Sequence, residues 1–387
     1  MSADLLVIAP YTGGHHAEYV RWMVSAGAER GLDVALAAAP ALLAGAPDLR
    51  TCGGGAVHAL GAAGALETAS SVAARVRATR RVLAEAARVP ARQALLTYLD
   101  AALPALALPS REPVPDRMAG LLFRPPFREA DPWAGRLRLA ARRALLARVA
   151  RGPVETVLTL DAAAVPALER IGARAAALPD PAEPVAPRAP REAVRETFGV
   201  EDGRVLAVLF GSLEERKGLF ALADAVRRLP APVARRLAVV VVGRTYDAIR
   251  SRVTAALAEA DAGEAQVVFR ETFLADADLA DLTAAADLVL APYVEHVGSS
   301  GVVARAAAAG VPLVAQAGGQ VGREVRAHRL GRTVDPTDVD ALADTLAAAV
   351  DDPRGAFDLD AARAYAEAHT VDRFTDALYV ALGHPAP

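Results

Sequence analysis

Lysine is nearly absent from this chain: of 43 basic residues 42 are arginine, and the one lysine is Lys217. Cysteine is as scarce. Cys52 alone excludes an intramolecular disulfide framework and a cysteine-cluster metal site, and it fits a reducing compartment. A net charge of −3 and a pI near 6.2 exclude the strongly basic domain expected of a protein whose main partner is nucleic acid. No uninterrupted apolar stretch approaches the roughly 20 residues needed to cross a bilayer. The opening Met1-Ser2-Ala3-Asp4 runs directly into apolar residues without a basic leader or a cleavage site, so no signal peptide is expected and the location is read as cytoplasmic.

What is present is organised as α/β. At 387 residues the chain is long enough for two domains of ordinary size. Leu5–Pro10 is a short continuous apolar run that stops at turn residues, and it reads as a buried strand. The loop Tyr11-Thr12-Gly13-Gly14-His15-His16, a helical pattern from Ala17 to Arg30 and a strand at Val34–Ala37 follow. This β-loop-α-β opening is a parallel-sheet unit whose ligand would lie at the carboxyl end of the first strand. Ala94–Tyr98 and Val157–Leu160 read as further strands.

The segment from Leu178 to Pro190 is too rich in proline for a helix or a central strand and reads as an extended connector. A second series of strands comes after it, at Val205–Phe210, Leu237–Val242, Gln266–Phe269, Leu288–Ala291 and Pro312–Ala315, separated by helical stretches. Such alternation implies a doubly wound parallel sheet. The expected architecture is two Rossmann-like domains facing a cleft. Residues 1–178 form the first, 179–194 the linker, 195–370 the second, and 371–387 a helix that returns to the first domain.

Lys217 stands in Gly211-Ser212-Leu213-Glu214-Glu215-Arg216-Lys217-Gly218, between an apolar strand and a helix. Arginine replaces lysine freely on a solvated surface but not where a compact ammonium must reach an oxyanion. The residue is read as an exposed loop cation that meets a phosphate, with Gly211, Ser212 and Arg216 beside it, or as one leftover surface lysine. A second loop, Gly298-Ser299-Ser300-Gly301, opens an alanine-rich helix closed by Gly310. It reads either as an anion-binding helix N-terminus or as an ordinary serine cap. Two such loops in one domain point to a diphosphate.

His15 and His16 sit at the exit of the first strand, as residues that orient an acceptor hydroxyl or a donor phosphate, or as a loop cap. No third histidine or cysteine stands at zinc-ligand spacing, so no metal is expected. Tyr98-Leu99-Asp100 and Phe123-Arg124-Pro125-Pro126-Phe127-Arg128 offer aromatic, acidic and basic groups for an acceptor, or merely loop packing. The segment from Arg136 to Arg151 reads as a basic amphipathic helix, solvated on its charged face or in weak peripheral contact with anionic lipid at the inner membrane face.

Several of these residues, in their order and spacing, resemble one family. They are Gly211 with Lys217-Gly218, the run Val239–Gly243, the run Ala307–Ala315, and Gly318-Gly319 with Glu324-Val325. Together they resemble the C-terminal domain of GT-B glycosyltransferases, and within these the retaining family 4, over residues of about 200 to 380; the N-terminal half is similar only through its Gly13-Gly14 loop. The resemblance implies a retaining, metal-independent hexosyltransferase of carbohydrate biosynthesis. It would take a nucleoside-diphosphate sugar as co-substrate, need no further cofactor, and act on a glycan, lipid-linked or small-molecule acceptor. In this reading Lys217, Arg216 and His16 are catalytic. Gly13, Gly14, Gly211, Ser212, Glu295, His296, Gly298, Ser299, Ser300, Gly301 and Arg305 bind the donor; His15, Asp100 and Arg124 bind the acceptor.

The chain also departs from the family pattern. Val297 and Arg305 stand where the family usually has two glutamates, the second of which receives the nucleotide ribose, and Ser212 stands where it has an arginine. Arg305 therefore reads as a substitute donor contact or as a structural salt bridge. A nucleotide-sugar epimerase and a catalytically silent nucleotide-sugar or glycan-binding protein are the alternative functions on the same fold.

Overall fold

The computed structural model describes residues 2–12, 16–127, 133–183 and 186–384. The chain divides into two compact units, one of residues up to Pro179 together with the segment from Val371, the other of Asp180–Thr370.

The first unit is built on a seven-stranded parallel sheet of β1 (Ala3–Ala9), β2 (Val34–Ala38), β3 (Val57–Ala59), β4 (Ala91–Leu96), β5 (Met118–Leu122), β6 (Val154–Thr159) and β7 (Arg174–Ala177). Its strands lie in the order β3-β2-β1-β4-β5-β6-β7. Every residue of β2 and β5 is buried, as required of central strands covered by helices on both faces. Four strands escape the sequence pattern. β3 has three residues, two of them exposed, and β7 is short and alanine-rich at the opposite edge. β5 is interrupted by Gly120, and β13, described below, carries Gly331, Arg332 and Thr333. β4 ends at Leu96, so Tyr98 caps the helix Leu99–Ala107 instead of extending the strand.

The segment from Val371 contributes the helix Val371–Leu382, whose Phe374, Leu378 and Tyr379 are wholly buried in the first unit's core. The Tyr379 hydroxyl donates to the Met23 carbonyl, and Arg30 pairs with Asp376 while lying 4.9 Å from the Tyr379 ring centre. Phe374 meets Tyr19 edge-on at 5.3 Å. Burying three large side chains stabilises by roughly 1.5–3 kcal/mol each.

The second unit carries β8 (Val205–Phe210), β9 (Leu237–Val242), β10 (Gln266–Arg270), β11 (Leu288–Ala291), β12 (Leu313–Gln316) and β13 (Gly331–Val334). The order is β10-β9-β8-β11-β12-β13, again parallel throughout. Both sheets reverse direction of winding beside their first strand, between β1 and β4 and between β8 and β11. In open α/β sheets ligands bind outside the carboxyl ends of the strands at such a switch point. Upstream, the proline-rich segment has no helix or strand in its described residues, but a helix, Arg191–Thr197, already begins within the stretch read as linker.

Phe374→Ala is expected to lower stability by about 3–5 kcal/mol, the usual cost of emptying a core phenylalanine site. Denaturant unfolding followed by circular dichroism checks this, and a loss under about 1 kcal/mol would show that the C-terminal helix adds little to the first unit.

Candidate active site

β8 and β11 end side by side, and their exit loops are held together by backbone contacts. The 3₁₀ turn Glu215–Lys217 follows β8, and Gly218 then opens the helix Leu219–Arg228 in the left-handed conformation, φ +73°. A Cβ at Gly218 would lie 1.8 Å from the Pro292 carbonyl oxygen, so the close approach of the two loops admits glycine alone. The Val294 N–H donates to the Arg216 carbonyl at 2.9 Å across the same junction.

Lys217 is not the exposed cation that its place in a polar loop implies. It is 7% exposed, and its ammonium donates to the Tyr293 hydroxyl at 3.0 Å while lying 4.4 Å from that ring's centre. The loop leaves β8 at Gly211, whose φ is +111°, and a Cβ there would lie 3.6 Å from Lys217 Nζ, which puts the ammonium at the end of that strand. Tyr293 is buried too, and its oxygen lies 3.2 Å from the Ser300 hydroxyl. Among the described residues no carboxylate pairs with Lys217. An ammonium removed from water without a counter-ion costs several kcal/mol even after relaxation, so this arrangement favours the arrival of an anion.

Ser300 precedes the helix Gly301–Ala308, and its side chain makes no cap bond to that helix. Gly298 is buried, while Ser299 and Gly301 are half-buried. Around them, Arg216 donates through Nε to Glu214 at 2.7 Å and approaches His296 Nδ1 at 3.3 Å. His296 Nε2 lies 3.0 Å from the Ser299 carbonyl. A carbonyl only accepts and a guanidinium only donates, so the network assigns a neutral His296 with its proton on Nε2. Gln316 Nε2 holds the His296 carbonyl at 2.6 Å and the Gly318 carbonyl at 2.9 Å. Glu295 is exposed with φ +53°, a left-handed conformation that is uncommon for a side-chain-bearing residue. Ser212 is exposed. Arg305, 17% exposed, is taken up by Asp276 at 2.7 Å, the salt-bridge alternative of the sequence reading.

In the first unit, His16 begins the helix His16–Glu29 beside the switch point, and Gly13, Gly14 and His15 lie outside the described residues. Thr97 donates to the Ile8 carbonyl at 3.0 Å, so its oxygen accepts from His16 Nε2 at 2.9 Å. Burial pushes the His16 imidazole down to about 4.

The Asp100 side chain is 6% exposed, and its carboxylate accepts from the Phe123 N–H at 2.7 Å, the Arg124 N–H at 3.0 Å and Arg142 at 3.2 Å. Burial raises its carboxyl above the usual range, against the lowering influence of the Phe123 N–H and Arg142. This hydrogen bonding makes Asp100 the clamp of the loop that carries Arg124, whose own side chain is exposed. Phe123 packs on Tyr98 at 5.3 Å and on Tyr19 at 5.8 Å. Arg128, also read as part of that loop, lies outside the described residues. In the helix Trp133–Ala150, Arg142 and Arg143 serve the same loop, Arg143 through the Pro126 carbonyl at 2.5 Å.

Sequence reasoning passed over Tyr293, Thr97 and Gln316. A tyrosine directly after a switch-point strand, in a chain with only 5% aromatic residues, was the available signal for the first. Among the described residues no group of three or more histidine, cysteine or carboxylate side chains is arranged to hold a metal.

Residues 204–352 match the family model described as glycosyl transferases group 1. No curated protein matches the chain. Among solved structures, an α,α-trehalose-phosphate synthase (UDP-forming) from Burkholderia vietnamiensis is similar at a TM-score of 0.76 and 16% identity, over 99% of this chain and 98% of that one. Sucrose-phosphate synthase from Thermosynechococcus elongatus gives 0.70 and 18%, over 98% and 97%. Anabaena Alr3699/HepE, in complex with UDP and glucose, gives 0.67 and 19%, over 98% and 99%. The fold is the GT-B fold that the sequence motifs resembled.

His16 makes stability depend on pH. Its folded value of about 4 lies below the ordinary 6.5, so protons favour the unfolded chain between these limits. The stabilisation is complete above pH of about 6.5 and is lost as pH falls toward 4. Relative to His16→Gln, the parent is expected to lose about 2 kcal/mol between pH 7 and pH 5. Parallel pH profiles of the two proteins would refute the burial of a neutral imidazole here.

Proposed function

We propose that this protein is a retaining glycosyltransferase of the family 4 type that transfers a hexosyl group from a nucleoside-diphosphate sugar to an acceptor hydroxyl. The observation that carries this reading is the Lys217 ammonium, buried with no carboxylate partner among the described residues and beside a helix N-terminus, that of Gly301–Ala308, which has no side-chain cap. Departure of the nucleoside diphosphate leaves growing negative charge on its oxygens. A preorganised ammonium and helix N–H groups stabilise that charge without reorganising at the moment of reaction. Arg216, already balanced by Glu214, adds less.

In a same-face displacement the donor phosphate takes the acceptor proton, so no enzymic nucleophile is required. The first unit is proposed to hold the acceptor near His16, a neutral imidazole at that sheet's switch point, with the Arg124 loop fixed by Asp100. Uridine diphosphate is the first nucleotide to try, since HepE is in complex with UDP and glucose and the Burkholderia enzyme is UDP-forming. The ribose contact would differ from the family's, because position 305 carries an arginine already paired with Asp276.

No helix in the described residues is long and apolar enough to cross a membrane. A cytoplasmic location is proposed, with peripheral contact through the helix Trp133–Ala150, where Leu137 is 59% exposed and Arg148 is exposed.

Lys217→Met is expected to reduce turnover of UDP-glucose, or of the sugar nucleotide found by screening, by about two to three orders of magnitude. Its melting temperature should hold or rise, because the uncompensated buried charge is gone. Lys217→Arg should also be impaired, since a planar guanidinium does not fit a site built for an ammonium. Steady-state kinetics and thermal unfolding check both; parental turnover in the methionine variant would defeat the assignment.

Activity should persist in EDTA, because the ammonium and N–H groups supply the electrostatic stabilisation that a metal gives elsewhere. Loss in EDTA restored by magnesium or manganese would overturn the metal-independent mechanism.

A further inference from the structure

Among the described serine and aspartate residues at helix N-caps, four cap their helix and one does not. Ser71, Asp161, Asp338 and Asp358 each precede a helix and accept a backbone N–H of its first turn. Ser300 occupies the same position in front of Gly301–Ala308, with extended backbone angles suited to capping, φ −147° and ψ 120°, and makes no such bond. Serine is among the preferred N-cap residues because its oxygen satisfies one of the free N–H groups. Something must therefore hold it away.

The Tyr293 hydroxyl does so. It lies 3.2 Å from Ser300 Oγ, and its own oxygen is already occupied by Lys217 Nζ at 3.0 Å. An ammonium has no acceptor, so the phenol oxygen must accept from Lys217, and the phenol proton is free to go to Ser300. Tyr293 is buried and keeps few other arrangements open.

We infer that Tyr293 is a positioning residue that keeps the helix N-terminus open by drawing Ser300 out of its capping role. This rests on the reading of that N-terminus as a diphosphate site. Of the two N–H groups that a serine here would cap through its side chain, that of Val303 already donates to the Ser300 carbonyl at 2.9 Å, so the Val302 N–H is the one at stake. With Ser300 turned to Tyr293, the Val302 N–H is left for a phosphate oxygen, and the same phenol sets the Lys217 ammonium beside it. A self-capped helix would offer the anion one donor fewer and a serine oxygen lone pair in its path.

Two measurements on the full-length protein test this. Hydrogen exchange in the ligand-free protein should be slower at Val302 in Tyr293→Phe than in the parent, as Ser300 swings back to cap. Exchange should return to the parental rate in the Tyr293→Phe/Ser300→Ala double variant. Isothermal titration with UDP and with inorganic pyrophosphate should show affinity falling roughly five- to tenfold in Tyr293→Phe, the scale of one cap interaction, and recovering most of that loss in the double variant. A phenol that acted only through Lys217, or only by packing, would give no recovery, and that result overturns the inference. So does unchanged exchange in Tyr293→Phe. If the parent binds neither probe, or binds both as well after Lys217→Met, the diphosphate reading itself fails. Loss on Lys217→Met with parental affinity in Tyr293→Phe removes this inference alone.

Discussion

The second unit is organised around a buried ammonium that has no counter-ion. Lys217 reaches the carboxyl end of β8, where its ammonium would lie 3.6 Å from a Cβ at Gly211, and that ammonium's only hydrogen bond among the described residues is to the neutral hydroxyl of Tyr293. Folding stability alone does not favour such a group, since the same volume filled by an apolar side chain would avoid the cost of desolvating the charge. Under the proposed function, a diphosphate arriving at the switch point offsets that cost. Native-state strain of this kind is what an electrostatic binding site stores in advance.

The neighbouring backbone is shaped to permit this. Gly218 lies so near Pro292 that a Cβ would fall 1.8 Å from its carbonyl oxygen, and Gly243 stands in the same relation to the Gly211 carbonyl, again at 1.8 Å. The exit loops of β8, β9 and β11 are thus packed backbone against backbone. Side chains are excluded from the junction, and the loops' polar groups are aimed by main-chain hydrogen bonds such as Val294 to Arg216. The outer network of Glu214, Arg216, His296 and Ser299 closes around the site without placing a carboxylate on Lys217.

The first unit solves a different problem at its own switch point. His16 is kept neutral by burial and oriented by Thr97, which in turn is held by the Ile8 carbonyl of β1. Asp100 spends its oxygens on two backbone N–H groups and Arg142, fixing the loop after β5. Residues that look like ligand contacts in a linear reading, Asp100 above all, are here committed to building the surface on which Arg124 is displayed.

What the sequence determined by itself is the α/β class and the position of the strongest strands. β8, β9 and β11 begin and end where their apolar runs do, because strands buried on both faces tolerate no polar residue along their length. The lone lysine and the Gly298–Gly301 loop stood out in the sequence by residue type and adjacency to a strand end, and the structure sets them at the exits of β8 and β11. The short edge strands β3, β7 and β13 were not legible, since half-exposed pairing needs no apolar pattern. Only the tertiary structure decided that Lys217 is buried, that Tyr293, 76 residues away, receives it, and that Ser300 forgoes its helix for that phenol. The physical reason is that strand order puts β8 next to β11. A hydrogen bond between their exit loops depends on that adjacency and leaves no trace in the spacing of either segment.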